Sequence, residues 1–148
     1  MNDVLHKLPE FASNHLALVA LFVAILIALI VGEASRLFRK WKSLTPAALT
    51  QLINRDTPLI IDLSASADFE KAHIPGAKNV AMSQFDPETQ KDLSKAKELP
   101  VVLIDKDGRS VGKAANRLIK AGFTRVFVLE GGTYAWQNAQ LPVAKGKK

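Results

Sequence analysis

The longest apolar stretch of the chain runs from Leu16 to Gly32 and contains no charged or strongly polar residue. As an α-helix it would span roughly 25 Å, close to the thickness of the hydrocarbon core of a bilayer. Flanking residues can lengthen it, so the pattern predicts a transmembrane helix over residues 14–38. A cleaved signal peptide is the alternative reading. The apolar run is longer than such peptides use, however, and the first ten residues are not positively charged.

Positive charge follows this helix and does not precede it. The residues that carry it are Arg36, Arg39, Lys40 and Lys42. Because Lys and Arg are retained on the cytoplasmic side of a membrane, we expect residues 1–13 outside and the remainder of the chain in the cytoplasm. We expect residues 39–44 to form a basic juxtamembrane linker, with Trp41 as an anchor at the membrane interface.

Beyond this linker, short apolar runs alternate with helical patterns. Strands are predicted at 58–63, 100–105 and 125–132, because these runs lack the polar alternation of a half-exposed strand. Helical segments are predicted within 45–56, 66–72, 83–93, 110–122 and 133–142. The order predicts an α/β domain over residues 45–143, a small parallel β-sheet flanked by helices, followed by a basic tail at 144–148.

Charge and cysteine content narrow the functional classes. Residues 1–42 contain five Lys/Arg and three Asp/Glu, and the rest of the chain contains fifteen and eleven. The final four residues supply three of those positive charges, so the domain itself is nearly balanced and nucleic-acid binding is not indicated. The chain has no cysteine, which excludes disulfides, Cys-based zinc sites and thiol chemistry by its own residues.

Three segments in order resemble the rhodanese homology domain. They are LIIDLSASADFEKAHIPGAKNV (59–80), VVLIDKDGRSVGKAANRLIKAGF (101–123) and VFVLEGGTYAW (126–136). The resemblance covers nearly all of residues 43–143 and implies a small parallel sheet flanked by helices. It also implies membrane-anchored, single-domain members of the kind found in bacterial inner membranes.

In active members of that family, the second segment contains a Cys-x-x-Gly-x-Arg-Ser loop whose backbone N–H groups stabilise a thiolate or persulfide. An alignment without gaps places Asp105 at the Cys, Gly108 at the Gly and Ser110 at the Arg, with Arg109 one place early. The resemblance therefore implies a degenerate loop without a catalytic residue. Its members are Asp105, Lys106, Asp107, Gly108, Arg109 and Ser110.

A carboxylate at position 105 can accept the N–H bonds of this loop, and it would repel the thiosulfate dianion. Ser64 stands where many members of the family have an Arg, which removes a second positive group. We expect structural roles for Asp62 and for His73. No cofactor or metal is expected.

Other chemistry fits the same residues less well. LIDKDG (103–108) matches the Asp-x-Asp-Gly opening of haloacid-dehalogenase-like phosphatases, which use an aspartate nucleophile. Only Glu130 is acidic after Gly108, so the further carboxylates that would bind Mg²⁺ are missing. A calcium loop fails because Asn116, and not Glu, occupies the twelfth position. We expect EGG at 130–132 to be a strand-to-helix turn.

Small residues recur every four positions along the predicted membrane helix. They are Ala20, Ala24, Ala28 and Gly32. Such stripes allow close helix packing in lipid, although alanine is also common in simple anchors. We expect the helix to contact a second copy or another inner-membrane protein, with translocation or insertion machinery among the candidates.

The sequence thus predicts a non-catalytic, membrane-anchored adaptor with a rhodanese-like domain. One alternative is a sulfurtransferase-related enzyme that relies on the thiol of a partner. The other is a domain that binds an anion or a metabolite at the degenerate loop.

Overall fold

A computed structural model describes residues 7, 9, 11–37 and 39–147, with the side chains of residues 35–37 excluded. It contains two compact units, which divide after Arg39. Part of the predicted extracytoplasmic segment 1–13, the end of the predicted membrane helix at residue 38 and the side chain of Arg36 lie outside the described residues.

The first unit contains one long helix, α1, from Leu16 to Leu37. Its segment Leu16–Ala34 is long and apolar enough to cross a membrane, and its side chains are not buried by protein. A signal sequence near the N-terminus meets the same criteria. The predicted apolar helix is therefore present.

The second unit is an α/β domain in which strands and helices alternate. The strands are β1 (Lys42–Leu44), β2 (Leu59–Asp62), β3 (Lys78–Asn79), β4 (Val101–Ile104) and β5 (Val126–Leu129). The helices are α2 (Pro46–Asp56), α3 (Ser66–Lys71), α4 (Lys91–Ser94), α5 (Val111–Lys120) and α6 (Gly132–Asn138), with a 3-10 turn at Met82–Gln84. The strands form one sheet in the order β1-β5-β4-β2-β3, and every pairing is parallel.

Alternate side chains of the central strand β4 pack on opposite faces of this sheet, as the two-residue period of a strand requires. Val101 and Leu103 join a cluster with residues of α4 and α5, whereas Val102 and Ile104 join a cluster with residues of α2, α3 and α6. All four are fully buried. The prediction of a parallel sheet flanked by helices is confirmed.

The structure differs from our expectation at residues 41–44. Lys42–Leu44, expected to be linker, form edge strand β1 and pair with Phe127–Leu129 of β5. Trp41, expected at the membrane interface, packs against the core cluster under α5, and its Nε1 donates a hydrogen bond to Asn116 Oδ1 at 3.2 Å. A three-residue edge strand with one apolar residue has no periodicity that a sequence reading can detect.

The start of the predicted tail is also held by the domain. Ala144 and His73 exchange two backbone hydrogen bonds of 2.8 and 3.0 Å, and the Gly146 N–H donates to the Glu70 carbonyl at 2.9 Å. Residues 144–146 therefore close over the end of α3 and the loop that follows it.

Candidate functional site

The candidate site lies where two neighbouring strands end. Asp62 is the last residue of β2, and Asp105 directly follows its partner strand β4. In open parallel sheets this carboxyl-terminal edge is where ligands generally bind. Both side chains are buried, with 1% and 4% of their surfaces exposed.

The carboxylate of Asp105 turns back into its own loop. Its Oδ1 accepts a short hydrogen bond from the N–H of Gly108. Its Oδ2 accepts from the N–H of Ser110 at 2.9 Å and from the Ser110 hydroxyl at 2.6 Å. Charge-assisted bonds of this kind are stronger than neutral ones. The N–H groups that could hold an external anion therefore bind a side chain of the protein itself.

The first turn of α6 closes the loop from the other side. The Thr133 N–H donates to the Asp105 carbonyl at 2.9 Å, and the Tyr134 N–H donates to the Lys106 carbonyl at 3.1 Å. Gly132 permits this approach, since a Cβ at that position would overlap the Asp105 carbonyl oxygen. The predicted turn at 130–132 thus holds the loop in place.

The other charged residues of the loop face outward. Arg109 is 88% exposed at its side chain and pairs with Asp107 at 3.4 Å, so it does not restore a cation inside the loop. Lys106 Nζ lies 3.5 Å from an Asp68 carboxylate oxygen and 5.6 Å from the centre of the Tyr134 ring. The Tyr134 side chain, and then the charge of Asp68, raise the pKa of Lys106.

Asp62 is held differently from Asp105. Its Oδ1 accepts the N–H of Ser64 at 2.9 Å, while its buried Oδ2 has no hydrogen-bond partner among the described residues. Burial raises the pKa of this carboxyl, and the charge of Asp105 adds to that effect; the bonds from Ser64 and the charge of His73 oppose it. The ring of His73 stacks on Phe69 at 3.7 Å, and its Nδ1 lies 2.8 Å from the Phe69 carbonyl oxygen, which supports a structural role for this histidine.

A cavity of about 280 Å³ opens beside the loop. Its lining includes Ser64 and the side chains of Lys71, Lys106 and Tyr134. Both lysines lie within 4 Å of Asp68, which offsets part of their charge. Nothing in the residue spacing predicts this cavity, because its walls come from three separate segments that only the fold brings together.

Among the described residues, no group of three or more His, Cys, Asp or Glu side chains could hold a metal ion. The predicted membrane-helix positions lie apart from the site, in the first unit. They are Ala20, Ala24, Ala28 and Gly32, all exposed on α1. Of the predicted topology residues, Arg39 and Lys40 follow α1, and Lys42 belongs to β1.

Comparison with known proteins identifies the domain. The family model of the rhodanese-like domain matches residues 45–139. The chain belongs to the rhodanese-like domain family. Escherichia coli K12 has a relative, uncharacterized protein YibN, that is 34% identical over 143 residues, which is 97% of this chain and all of the relative. This rhodanese-like protein thus resembles YibN over nearly its whole length, the apolar helix included.

Other relatives carry an enzymatic name. Thiosulfate sulfurtransferase GlpE of Pseudoalteromonas translucida is 26% identical over 102 residues, covering 67% of this chain and 91% of the relative. The crystal structure of thiosulfate sulfurtransferase from Pseudomonas aeruginosa superposes with a TM-score of 0.63 at 29% identity, covering 72% of this chain and 20% of that chain. Protein BH2092 of Bacillus halodurans gives a TM-score of 0.63 at 25% identity, covering 78% and 87%.

The sequence located the loop but missed the residues that close it. Thr133 and Tyr134 act through backbone N–H groups, which leave no signature in residue type. The Gly-Gly pair before them was the one available signal, since a double glycine after a buried strand often marks a close backbone approach.

Proposed function

We propose that this protein is a non-catalytic rhodanese-like module, anchored by α1 in a bacterial inner membrane with its domain in the cytoplasm. The observation that carries the proposal is the carboxylate of Asp105, which occupies the loop and accepts the N–H bonds of Gly108 and Ser110. The active members that the sequence resembles have a cysteine at this position, and this chain contains none.

Sulfur transfer through this loop is chemically unfavourable. The thiolate is the nucleophile of cysteine chemistry, and a carboxylate cannot carry a sulfane sulfur in its place. Thiosulfate, a dianion, would also meet the charge of Asp105 with no loop cation to offset it, because Arg109 points to solvent.

The purified full chain should therefore show no thiosulfate sulfurtransferase activity above the uncatalysed rate. The variants Asp105→Cys and Asp105→Cys/Ser110→Arg test how much of a site remains, and we expect activity in the double variant only, since a persulfide needs the loop cation as well. Activity in the unmodified chain would contradict the proposal. Activity only on addition of a thiol-bearing partner would favour the enzymatic alternative.

The adaptor role is proposed from α1. Its apolar side chains are not covered by protein, and packing between small residues is a common basis of helix association in lipid. Ala20, Ala24, Ala28 and Gly32 would form the contact surface with a second copy or with another inner-membrane protein. Translocation or insertion machinery is a candidate partner for this surface.

Photocrosslinking in native membranes tests this role. A photoreactive residue at Ala24 should capture a discrete partner, whereas one at Leu26, off the stripe, should not. Capture of the chain by itself would indicate a homo-oligomer. If neither position captures protein, α1 is an anchor alone and the adaptor proposal fails for this helix.

The cavity beside the loop favours a second candidate function, binding of a small anion or metabolite. Lys71 and Lys106 would supply the positive charge. This function predicts that a ligand raises the thermal stability of the chain and that Lys106→Gln removes the increase. An unchanged melting temperature across a panel of small anions would argue against it.

A further inference from the structure

Helix α5 carries a basic surface with no acidic residue on it. Its exposed positions are Lys113, Asn116, Arg117 and Lys120, while the intervening apolar residues pack on the sheet. None of its three cations lies within 4 Å of a carboxylate oxygen of the described residues. Arg117 bonds instead to a backbone carbonyl, that of Phe85, at 3.1 Å.

Residues next to β1 extend this surface. The hydrogen bond from Trp41 to Asn116 holds residues 40–42 beside α5. Lys40 and Lys42 flank Trp41, and both are exposed. We call the resulting surface, Lys40, Lys42, Lys113, Arg117 and Lys120, the α5 basic face.

Charges on the opposite side of the sheet are paired. Arg55 of α2 lies 3.5 Å from Asp56, and Lys71 of α3 lies 3.8 Å from Asp68. The domain is nearly balanced in total charge, so the positive potential is concentrated on one of its sides. Such asymmetry is typical of a surface that meets an anionic partner.

We propose that the α5 basic face docks on the anionic headgroups of a lipid bilayer. The inference rests on the proposed membrane anchoring by α1, which keeps the domain at a bilayer. Each Lys or Arg near an anionic membrane surface contributes about 1 kcal/mol, which corresponds to about a fivefold change in the docking equilibrium. The large apolar side chains exposed in the described part of the domain are Leu99 and Tyr134, and neither belongs to the α5 basic face. Docking is therefore electrostatic and should weaken as salt is raised.

The absence of cysteine makes the test direct, because one introduced cysteine can be labelled alone. The full chain is reconstituted in phosphatidylcholine vesicles with or without phosphatidylglycerol, and a fluorophore is attached through Asn116→Cys at the centre of the face. Gln51→Cys, exposed on α2 at the opposite side of the sheet, is the control position. Quenching by nitroxide-labelled headgroups reports contact with lipid.

We expect phosphatidylglycerol to increase quenching at position 116 but not at position 51, and high salt to reverse the increase. In the Asn116→Cys background, Lys113→Gln/Lys120→Gln should reduce docking about fivefold per lysine removed. Lys145→Gln/Lys147→Gln, which changes the net charge equally away from α5, should have little effect.

Three outcomes overturn the proposal. Equal quenching with and without phosphatidylglycerol would show that the face does not meet anionic lipid. An equal effect of the two double variants would show a response to net charge alone. A chain that is extracted from the vesicles by alkaline carbonate would refute the anchoring itself, so failure of anchoring and failure of docking are distinguishable.

Discussion

Gly132→Ala should destabilise the domain by about 3 kcal/mol. Gly132 has a φ of +60°, which costs an L-residue about 1–2 kcal/mol. A Cβ here would also overlap the Asp105 carbonyl oxygen and lie 2.7 Å from the Asp107 amide nitrogen. Because both atoms are backbone, the loop must move, and the hydrogen bond from Thr133 to Asp105 is strained or lost. Thermal unfolding of a fragment covering residues 40–148 measures the effect, at roughly 4–8 °C per kcal/mol.

Gly76→Ala is the matched control. Gly76 also has a positive φ, +84°, but a Cβ there would have no neighbour within 4 Å. It should therefore cost only the conformational part, about 1 kcal/mol. Equal destabilisation by the two variants would mean that the contact between α6 and the loop does not contribute to stability.

Asp105→Ala should cost about 2–4 kcal/mol of stability. The change removes an acceptor for the N–H groups of Gly108 and Ser110 and for the Ser110 hydroxyl. These donors are partly buried, so each loses a charge-assisted bond that water replaces only in part. The free energy of unfolding of the 40–148 fragment in urea measures the loss.

Two smaller changes separate the contributions of the carboxylate. Asp105→Asn keeps one acceptor oxygen but places an N–H₂ group against the N–H of Ser110, so we expect about 1–2 kcal/mol. Ser110→Ala removes the hydroxyl bond alone and should cost about 1 kcal/mol. An Asp105→Ala variant that is as stable as the original chain would show that the carboxylate is not the structural centre of the loop. The site would then have to be considered open to an external ligand.

Much of the fold was predictable from local pattern. The strands β2, β4 and β5 are short apolar runs, and α5 has an apolar face with the period of a helix. Thr45 caps α2 as predicted, accepting the Ala48 N–H at 3.2 Å, and Pro46 occupies the first turn. Each of these features depends on residues close in sequence, which is why the sequence alone indicates them.

Edge strand β1 could not be predicted in this way. Lys42–Leu44 become a strand because the exposed edge of β5 offers backbone partners more than eighty residues further along the chain. Trp41 follows the same logic: beside a basic cluster its sequence context suggests a membrane interface, while the fold provides Asn116 and the core under α5.

For the candidate site, the sequence by itself determined the chemistry and the tertiary structure determined its surroundings. The absence of cysteine and the place of Asp105 after a buried strand are facts of sequence, and they exclude thiol chemistry by this chain. Which groups Asp105 binds, what α6 contributes to the loop, and which side of the domain is basic depend on segments distant in the chain. The physical reason is that hydrogen bonds and charge act through space, so residues far apart in sequence become partners only when the sheet has brought them together.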